Sequence, residues 1–331
     1  MIIVRTPLRL SFVGGGSDIK AFYDRVDGAV VSSAIDKYVY VVVKERFDDM
    51  IYLNYTRKER VERVGDIEHD LIREAMKMAG VEKGVEVTTL ADIPSEGSGL
   101  GSSSAITVAL LHVFYAYQGE LVTAEQLARE ACQIEIDIVG KPIGRQDQYA
   151  AAYGSLHEFR FCENDEVKRS KLPVSNGDYR RLSSSILLFY TGIVRSADTI
   201  LSEQKRNFSE EEKFETMSEM VSLVEPFKRA VEQCDIEKCG QLLDRNWELK
   251  QRMASGITNP QITEMYERAK AAGALGGKIA GAGGGGFLML IVPREKQNAV
   301  FEAMKEYREM PFMLERSGSK VIFDDRRYSS K

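Results

Sequence analysis

Residues 94–105, PSEGSGLGSSSA, hold the side chains and backbone best suited to bind a phosphate. Gly97, Gly99, Leu100, Gly101 and Ser102 form a small-residue loop. It leads into Ser103, Ser104 and the apolar run 105–113, which reads as a helix. Such a loop aims several N–H groups at one point, at the positive end of the helix, where phosphate binds. The hydroxyls of Ser102–Ser104 can hydrogen-bond phosphate oxygens or ligate Mg²⁺. The loop lacks the Gly-Lys-Ser/Thr ending of a Walker A motif. A plain Gly/Ser linker before a helix is the competing reading.

Three further segments carry chemistry. Residues 135–154, EIDIVGKPIGRQDQYAAAYG, place Glu135 near the end of one helix and Asp147, between Gln146 and Gln148, at the start of the next. Carboxylates at two adjoining helix ends can flank a Mg²⁺ and a hydroxyl. The turn GGGSD at 14–18 allows close backbone approach to a polyhydroxy ligand, and Asp18 could accept its hydrogen bonds. Arg9, on the polar face of the preceding strand, could point at the same place. Gly281–Gly286 formally match G-x-G-x-x-G, but they open the strand FLMLIV and not a helix, so a dinucleotide fold is disfavoured. Glycines between paired strands allow another backbone or a ligand to come close.

These segments need elements to position them. The chain has 331 residues, 44% hydrophobic and 29% charged, which allows one or two domains with an ample core. A net charge of −5 gives no footprint for nucleic acid or an anionic membrane. No apolar run has the length of a membrane span, and the N-terminus does not read as a signal peptide. Cys132, Cys162, Cys234 and Cys239 lack metal spacing and point to structural thiols in a reducing, cytoplasmic compartment. His69, His112 and His157 are scattered, which disfavours a zinc site or a His-based nucleophile.

The first half reads as strand, turn at Pro7, strand over 2–13. A β-rich stretch follows at 28–55, then a helix ending at Gly80 and a strand at 84–90. After the Gly/Ser loop and its helix, the pattern predicts a helix over 123–139, a short helix over 146–153 and a strand at 156–161. Thr123 and Gln126 form a capping box. The Pro/Asn/Gly-rich segment 170–178 marks a boundary, dividing the chain into 1–176 and 177–331. The second part reads as a strand at 185–191, a helical stretch at 196–253, a helix at 260–272 and two strands joined by the glycine turn. A helix at 294–308 and strands near 312–316 and 320–324 end it. That order suggests a split βαβ sandwich with inserted helices.

Three motifs, TPLRLSFVGGGSD at 6–18, PSEGSGLGSSSA at 94–105 and KIAGAGGGGF at 278–287, occur in order. Together they resemble the GHMP kinases, the family of galactokinase, homoserine kinase, mevalonate kinase and phosphomevalonate kinase, over roughly residues 2–324. The resemblance implies an α/β (α+β) fold, with a ribosomal-S5-like N-terminal domain, a ferredoxin-like C-terminal domain, and ATP and acceptor in the cleft between. RTPLRLSFVGGGSD, GRQDQYAAAYG, AVVSSAIDKYVYV and HDLIREAMK look most like the heptose 7-phosphate kinase branch, whose members phosphorylate the anomeric C1 hydroxyl. Fucokinases carry a related turn. Other small-molecule kinases of the family, and a non-catalytic sugar or nucleotide sensor on the same fold, are the alternatives.

Carried over by position, the resemblance implies the following roles. Residues 97 and 99–104 hold the ATP phosphates. Ser103 and Glu135 share Mg²⁺, with Asp137 as the rival for Glu135. Asp147 is the base and Arg9 polarises the acceptor hydroxyl. Gly15, Gly16, Ser17 and Asp18 contact the sugar, as do Gly283 and Gly284 of the glycine turn. Gly14–Gly16 depart from the galactokinase pattern, so galactose contacts do not carry over. A distal phosphate on the acceptor would need further cations. Arg145 and Arg195 are the candidates, with Lys141 a weaker third. The expected partners are therefore ATP and a sugar phosphate. The helices of 196–253 could pack against the active site or against a second copy of the chain, as in a homodimer.

Overall fold

The computed structural model describes residues 1–94, 97–194 and 197–325. Its larger sheet is built on two long antiparallel strands, β1 (Ile2–Val13) and β2 (Gly28–Glu45). β1 is a single strand, not the strand-turn-strand expected around Pro7. The irregularity falls on β2: Pro7 faces Tyr38 while Leu8 faces Ile35, so Asp36 and Lys37 are the extra residues. A proline without an N–H is tolerated at such a break in the ladder.

β3 (Ile51–Asn54), β4 (Lys58–Val61) and β5 (Val85–Ala91) extend the sheet in the order β1-β2-β5-β3-β4, with β3 and β5 parallel. β6 (Leu156–Phe161) pairs with the first part of β2, and β7 (Val167–Lys171) pairs with β6. The helix Ser102–Gln118 packs on β1 and β2 and is buried along most of its length. That burial explains its nearly continuous apolar sequence. A second sheet holds β8 (Ile186–Tyr190), β9 (Gly276–Ile279) and β10 (Phe287–Ile291), in the order β8-β10-β9. Five helices between Ala197 and Ala271 connect β8 to β9.

Two expectations are corrected at the C-terminal end. β11 (Leu314–Glu315) and β12 (Lys320–Asp324) do not complete the second sheet; they return to the first, pairing with β2 and β1. The fourth edge of the smaller sheet is only a bridge: Tyr190 N–H donates to Arg308 O at 2.8 Å and Met310 N–H to Leu188 O at 2.9 Å. The expected helix over 294–308 is a short 3₁₀ turn followed by a helix at Gln297–Ala303. No helix among the described residues is long and apolar enough to cross a membrane.

Candidate active site

The two glycine-rich segments meet backbone to backbone where the two halves of the chain join. Gly99 has φ +74°, and a Cβ there would lie 2.3 Å from Ala280 O. Gly286 presses in the same way on Gly97 and Ser98. Only glycine permits this approach, so the glycine turn after β9 serves as a seat for the phosphate loop. A cleft of about 580 Å³ opens beside it. Gly97, Gly99, Gly101, Ser102, Ser103 and Ser104 line one end, and Gly15, Gly16 and Asp18 line another part of the wall. The size suits a small-molecule ligand.

At the serine end, Gly101 caps the helix Ser102–Gln118 in a left-handed conformation, with no side-chain cap. The first N–H groups of that helix therefore have no partner inside it, which suits an anion. Ser103 Oγ donates to Glu135 Oε1 at 2.7 Å. Lys141 Nζ donates to Ser103 Oγ at 2.6 Å and reaches Glu135 Oε1 at 3.2 Å. Gln148 Nε2 donates to the other Glu135 oxygen at 2.7 Å. Glu135 is completely buried, whereas Asp137 is exposed. The cause is local. The expected helix over 123–139 runs as α-helix only to Cys132 and widens to a π-helix over Gln133–Ile138. π-turns are frequent at functional sites, where they redirect a side chain.

Arg9 and Asp147 form the middle of the site. Asp147 stands in the first turn of the helix Gln146–Tyr153. Arg9 Nε donates to Asp147 Oδ1 at 2.7 Å and Arg9 Nη2 to Oδ2 at 2.5 Å, a two-pronged pair. Arg9 Nη1 also donates to Gly99 O at 2.6 Å, and Arg9 N–H to Leu100 O at 3.0 Å. Strand, phosphate loop and Asp147 are thereby held as one unit.

Asp18 closes the far side. Its oxygens accept from Gly16 N–H at 2.9 Å and Gln146 N–H at 3.1 Å. Gly144 must be glycine, because a Cβ there would sit 1.9 Å from Asp18 Oδ2. Burial first, and then the charge of Asp147, raises the Asp18 carboxyl above the ordinary carboxylate range.

Several expected site residues lie elsewhere. Leu100 packs its side chain in the core and gives its carbonyl to Arg9, so it does not face the cleft. Ser17 exchanges hydrogen bonds with the Ala29 backbone and pins the turn to β2. Gly283 lines the cleft, but Gly284 directs its N–H to Ile257 O at 2.8 Å. Arg145 turns away, to Asp165 and the Tyr23 ring. Lys141 belongs to the serine end and not to a distal acceptor group. Arg195 lies outside the described residues.

The sequence reading missed three buried polar residues. Gln148 has been described. Lys250, 3% exposed, lines the cleft and donates to Gly15 O at 3.1 Å and Gln204 Oε1 at 2.9 Å. Lys278, 1% exposed, donates to Ser11 O at 3.1 Å and Phe12 O at 3.4 Å. Burial pushes Lys250 down to about 8 and Lys278 down to about 7, the latter helped by Lys250 and Arg9. For Lys250 the flanking NWELKQ carries one signal, a lysine at a core-facing position of an amphipathic helix; Lys278 sits in a strand buried at all four positions.

Known proteins resemble this chain in sequence and in fold. The GHMP kinase N-terminal domain model matches residues 57–155 and the C-terminal model residues 227–309. The D-glycero-alpha-D-manno-heptose 7-phosphate kinase of Campylobacter jejuni is 30% identical over 92% of this chain and 94% of its own. A mevalonate kinase of Thermococcus sibiricus is 27% identical over 84% of this chain and 80% of its own. A crystal structure described as a D-glycero-D-manno-heptose 1-phosphate kinase from Bacteroides thetaiotaomicron superposes with a TM-score of 0.82, at 26% identity, covering 99% of this chain and 100% of that one. The chain belongs to the GHMP kinase family and has its mixed α/β fold. It is an ATP-dependent sugar kinase.

Proposed function

We propose that this protein transfers the γ-phosphoryl group of ATP to the C1 hydroxyl of D-glycero-D-manno-heptose 7-phosphate, supplying activated heptose for surface polysaccharide. The Arg9–Asp147 pair carries the reading. It sits between a phosphate loop and the Gly15–Asp18 turn, where a hydroxyl must meet a phosphoryl group. The name of the Campylobacter jejuni relative supplies the acceptor.

Asp147 receives the acceptor hydroxyl's hydrogen bond on a lone pair that Arg9 leaves free. As the C1 oxygen bonds to the γ-phosphorus, the bond to the bridging oxygen breaks. ADP leaves, and the hydroxyl proton passes to Asp147 and then to solvent. Arg9 keeps Asp147 oriented and offsets charge beside the transferring group. An anomeric hydroxyl is more acidic than an ordinary alcohol, so a modest base suffices. The N–H groups at Ser102–Ser104 hold the phosphates.

Magnesium fits the serine end. Ser103 Oγ and Glu135 Oε1 are hard oxygen donors 2.7 Å apart, and the Lys141 ammonium bonds to both, so the pair favours a cation. One carboxylate and one hydroxyl are the sparse donor set that Mg²⁺ takes beside nucleotide phosphates. When bound it would neutralise charge on the β- and γ-oxygens. A cytoplasmic location follows from the need for ATP, and the four buried, free cysteines agree with it.

The test is an acceptor panel with ATP and Mg²⁺. The product of heptose 7-phosphate should be the 1,7-bisphosphate, identified by phosphorus NMR. Transfer to fucose or mannose in preference would move the protein to another branch. No transfer to any sugar, with ATP still bound, would make it a sensor.

A further inference from the structure

Among the described residues three cationic side chains line the cleft, and two are bound to carboxylates. Arg9 is spent on Asp147 and Gly99. Lys141 is spent on Ser103 and Glu135, at the nucleotide end. Lys250 differs. It comes from the helix Ile236–Gln251 and reaches the cleft wall beneath the GGGSD turn. Both of its acceptors are neutral, a carbonyl and an amide, and among the described residues it forms no ion pair. An ammonium has three N–H donors, so one remains beyond these two bonds.

Its surroundings carry more positive than negative charge. Lys278 lies close enough to Lys250 for their charges to repel, and Asp18 is the carboxylate that opposes them. Ser11 Oγ, which lines the cleft, has no hydrogen-bond partner. Gln204 is completely buried and its Nε2 is likewise unpartnered. That amide sits against Gly16, where a Cβ would come within 2.2 Å of it. Buried polar atoms ordinarily find partners, so a cluster of unpartnered ones beside a cationic lysine on a cleft wall points to a polar, anionic ligand. The location selects which part of the ligand. Lys250 touches the turn at Gly15, on the acceptor's side of Asp147, while the serine loop has its own cation.

We infer that Lys250, seated under Gly15 and Gly16 beside Gln204 and Ser11, binds the non-reacting phosphate of the sugar phosphate acceptor. This rests on the heptose 7-phosphate reading. It replaces Arg145, which faces Asp165, as the cation that distinguishes a phosphorylated from an unphosphorylated sugar. Gly15 and Gly16 line the cleft, and a Cβ on Gly16 would displace the Gln204 amide, so glycine there keeps that amide in place beside Lys250.

The experiment compares kcat/KM for heptose 7-phosphate and for unphosphorylated heptose in the wild type and in Lys250→Met. The wild-type ratio should be at least about tenfold. In Lys250→Met it should fall to within about twofold of unity, whatever the absolute rates. Gln204→Glu is the second variant. It keeps the lysine and gives it a carboxylate partner, so the ratio should fall at least about threefold by competition with the phosphate. Should Lys250→Met not fold, Gln204→Glu decides. A wild-type ratio above ten that survives in the folded Lys250→Met protein, or in Gln204→Glu, overturns the assignment of Lys250 and leaves the heptose 7-phosphate reading standing. A wild-type ratio near one removes both.

Discussion

The two ends of the cleft are built on opposite plans. At the serine end the described charged groups, Glu135 and Lys141, are paired with each other: Glu135 accepts from Ser103, Lys141 and Gln148. At the turn end, Lys250 and Lys278 face carbonyls and an amide, and Ser11 and Gln204 keep unpartnered atoms. The first end is preorganised for a ligand group common to all ATP-dependent kinases. The second holds polarity in reserve for a group that only the correct acceptor brings. Pairing gives rigidity and low desolvation cost. Unpaired buried donors are costly alone, so they discriminate against ligands that leave them unmatched.

The largest expected effect lies between the two ends. Asp147→Asn should lower kcat by roughly 10²–10⁴-fold, the range for loss of a general base, with little change in fold. Steady-state kinetics beside a melting curve checks this, and near-normal turnover would remove Asp147 from the chemistry. At the serine end, Ser103→Ala and Glu135→Gln should each raise the Mg²⁺ concentration for half-maximal rate. Gln148→Leu, which frees one Glu135 oxygen, should do so by about 10-fold, the low end for a group that orients a metal ligand. Asp137→Asn should have no effect, because Asp137 is exposed and apart from Ser103. A Mg²⁺ shift from Asp137 and none from Glu135 would place the metal away from the Ser103–Glu135 pair.

Gly99→Ala tests the seat shared by both ends. The left-handed backbone alone costs about 1–3 kcal/mol for a non-glycine residue, before the clash with Ala280 O. Chemical denaturation should show a loss of at least about that size, with ATP affinity falling alongside. The last effect, of comparable size, concerns Lys278. It is held at about 7 in the folded protein, against 10.5 for an unperturbed lysine. Between those values the unfolded chain binds more protons, so this group makes stability rise with pH. The penalty is full below pH 7 and is relieved as pH climbs. Relative to Lys278→Met, the wild type should therefore gain stability from pH 7 to pH 9. A difference between the two that stays flat over that window would contradict the burial argument.

Much of the site could be read along the chain. Ser103, Asp147, Arg9 and Asp18 were singled out because local rules place them: a glycine loop before a helix, an acid in a first turn, an arginine alternating with apolar residues on a strand. Glu135 stood ahead of Asp137 by resemblance alone; its burial beside Ser103 comes from a π-turn, which depends on how a helix meets its neighbours and is not written in the local pattern. Leu100, Ser17 and Gly284 sit inside the right motifs yet face away from the cleft. Motif membership locates a segment, whereas the direction of each group follows from its hydrogen bonds. The final strands were expected in the second sheet, because strand patterns are legible and strand partners are not. β12 pairs with β1 from more than 300 positions away.

Local pattern along the chain was enough for the α/β character, the three motifs and their order, and some helix ends: Thr123 caps its helix by accepting from Gln126 N–H, although the Gln126 side chain turns to Glu130 and does not complete the capping box. These depend on residues within a few positions of one another. Long-range packing is what presses Gly99 against Ala280, sets Arg9 on Asp147, and brings Lys250 and Lys278 across to the backbone of residues 11–15. The reason is physical. A buried charge is tolerated only where long-range packing brings it acceptors, and nothing near it in the chain reports where those acceptors are.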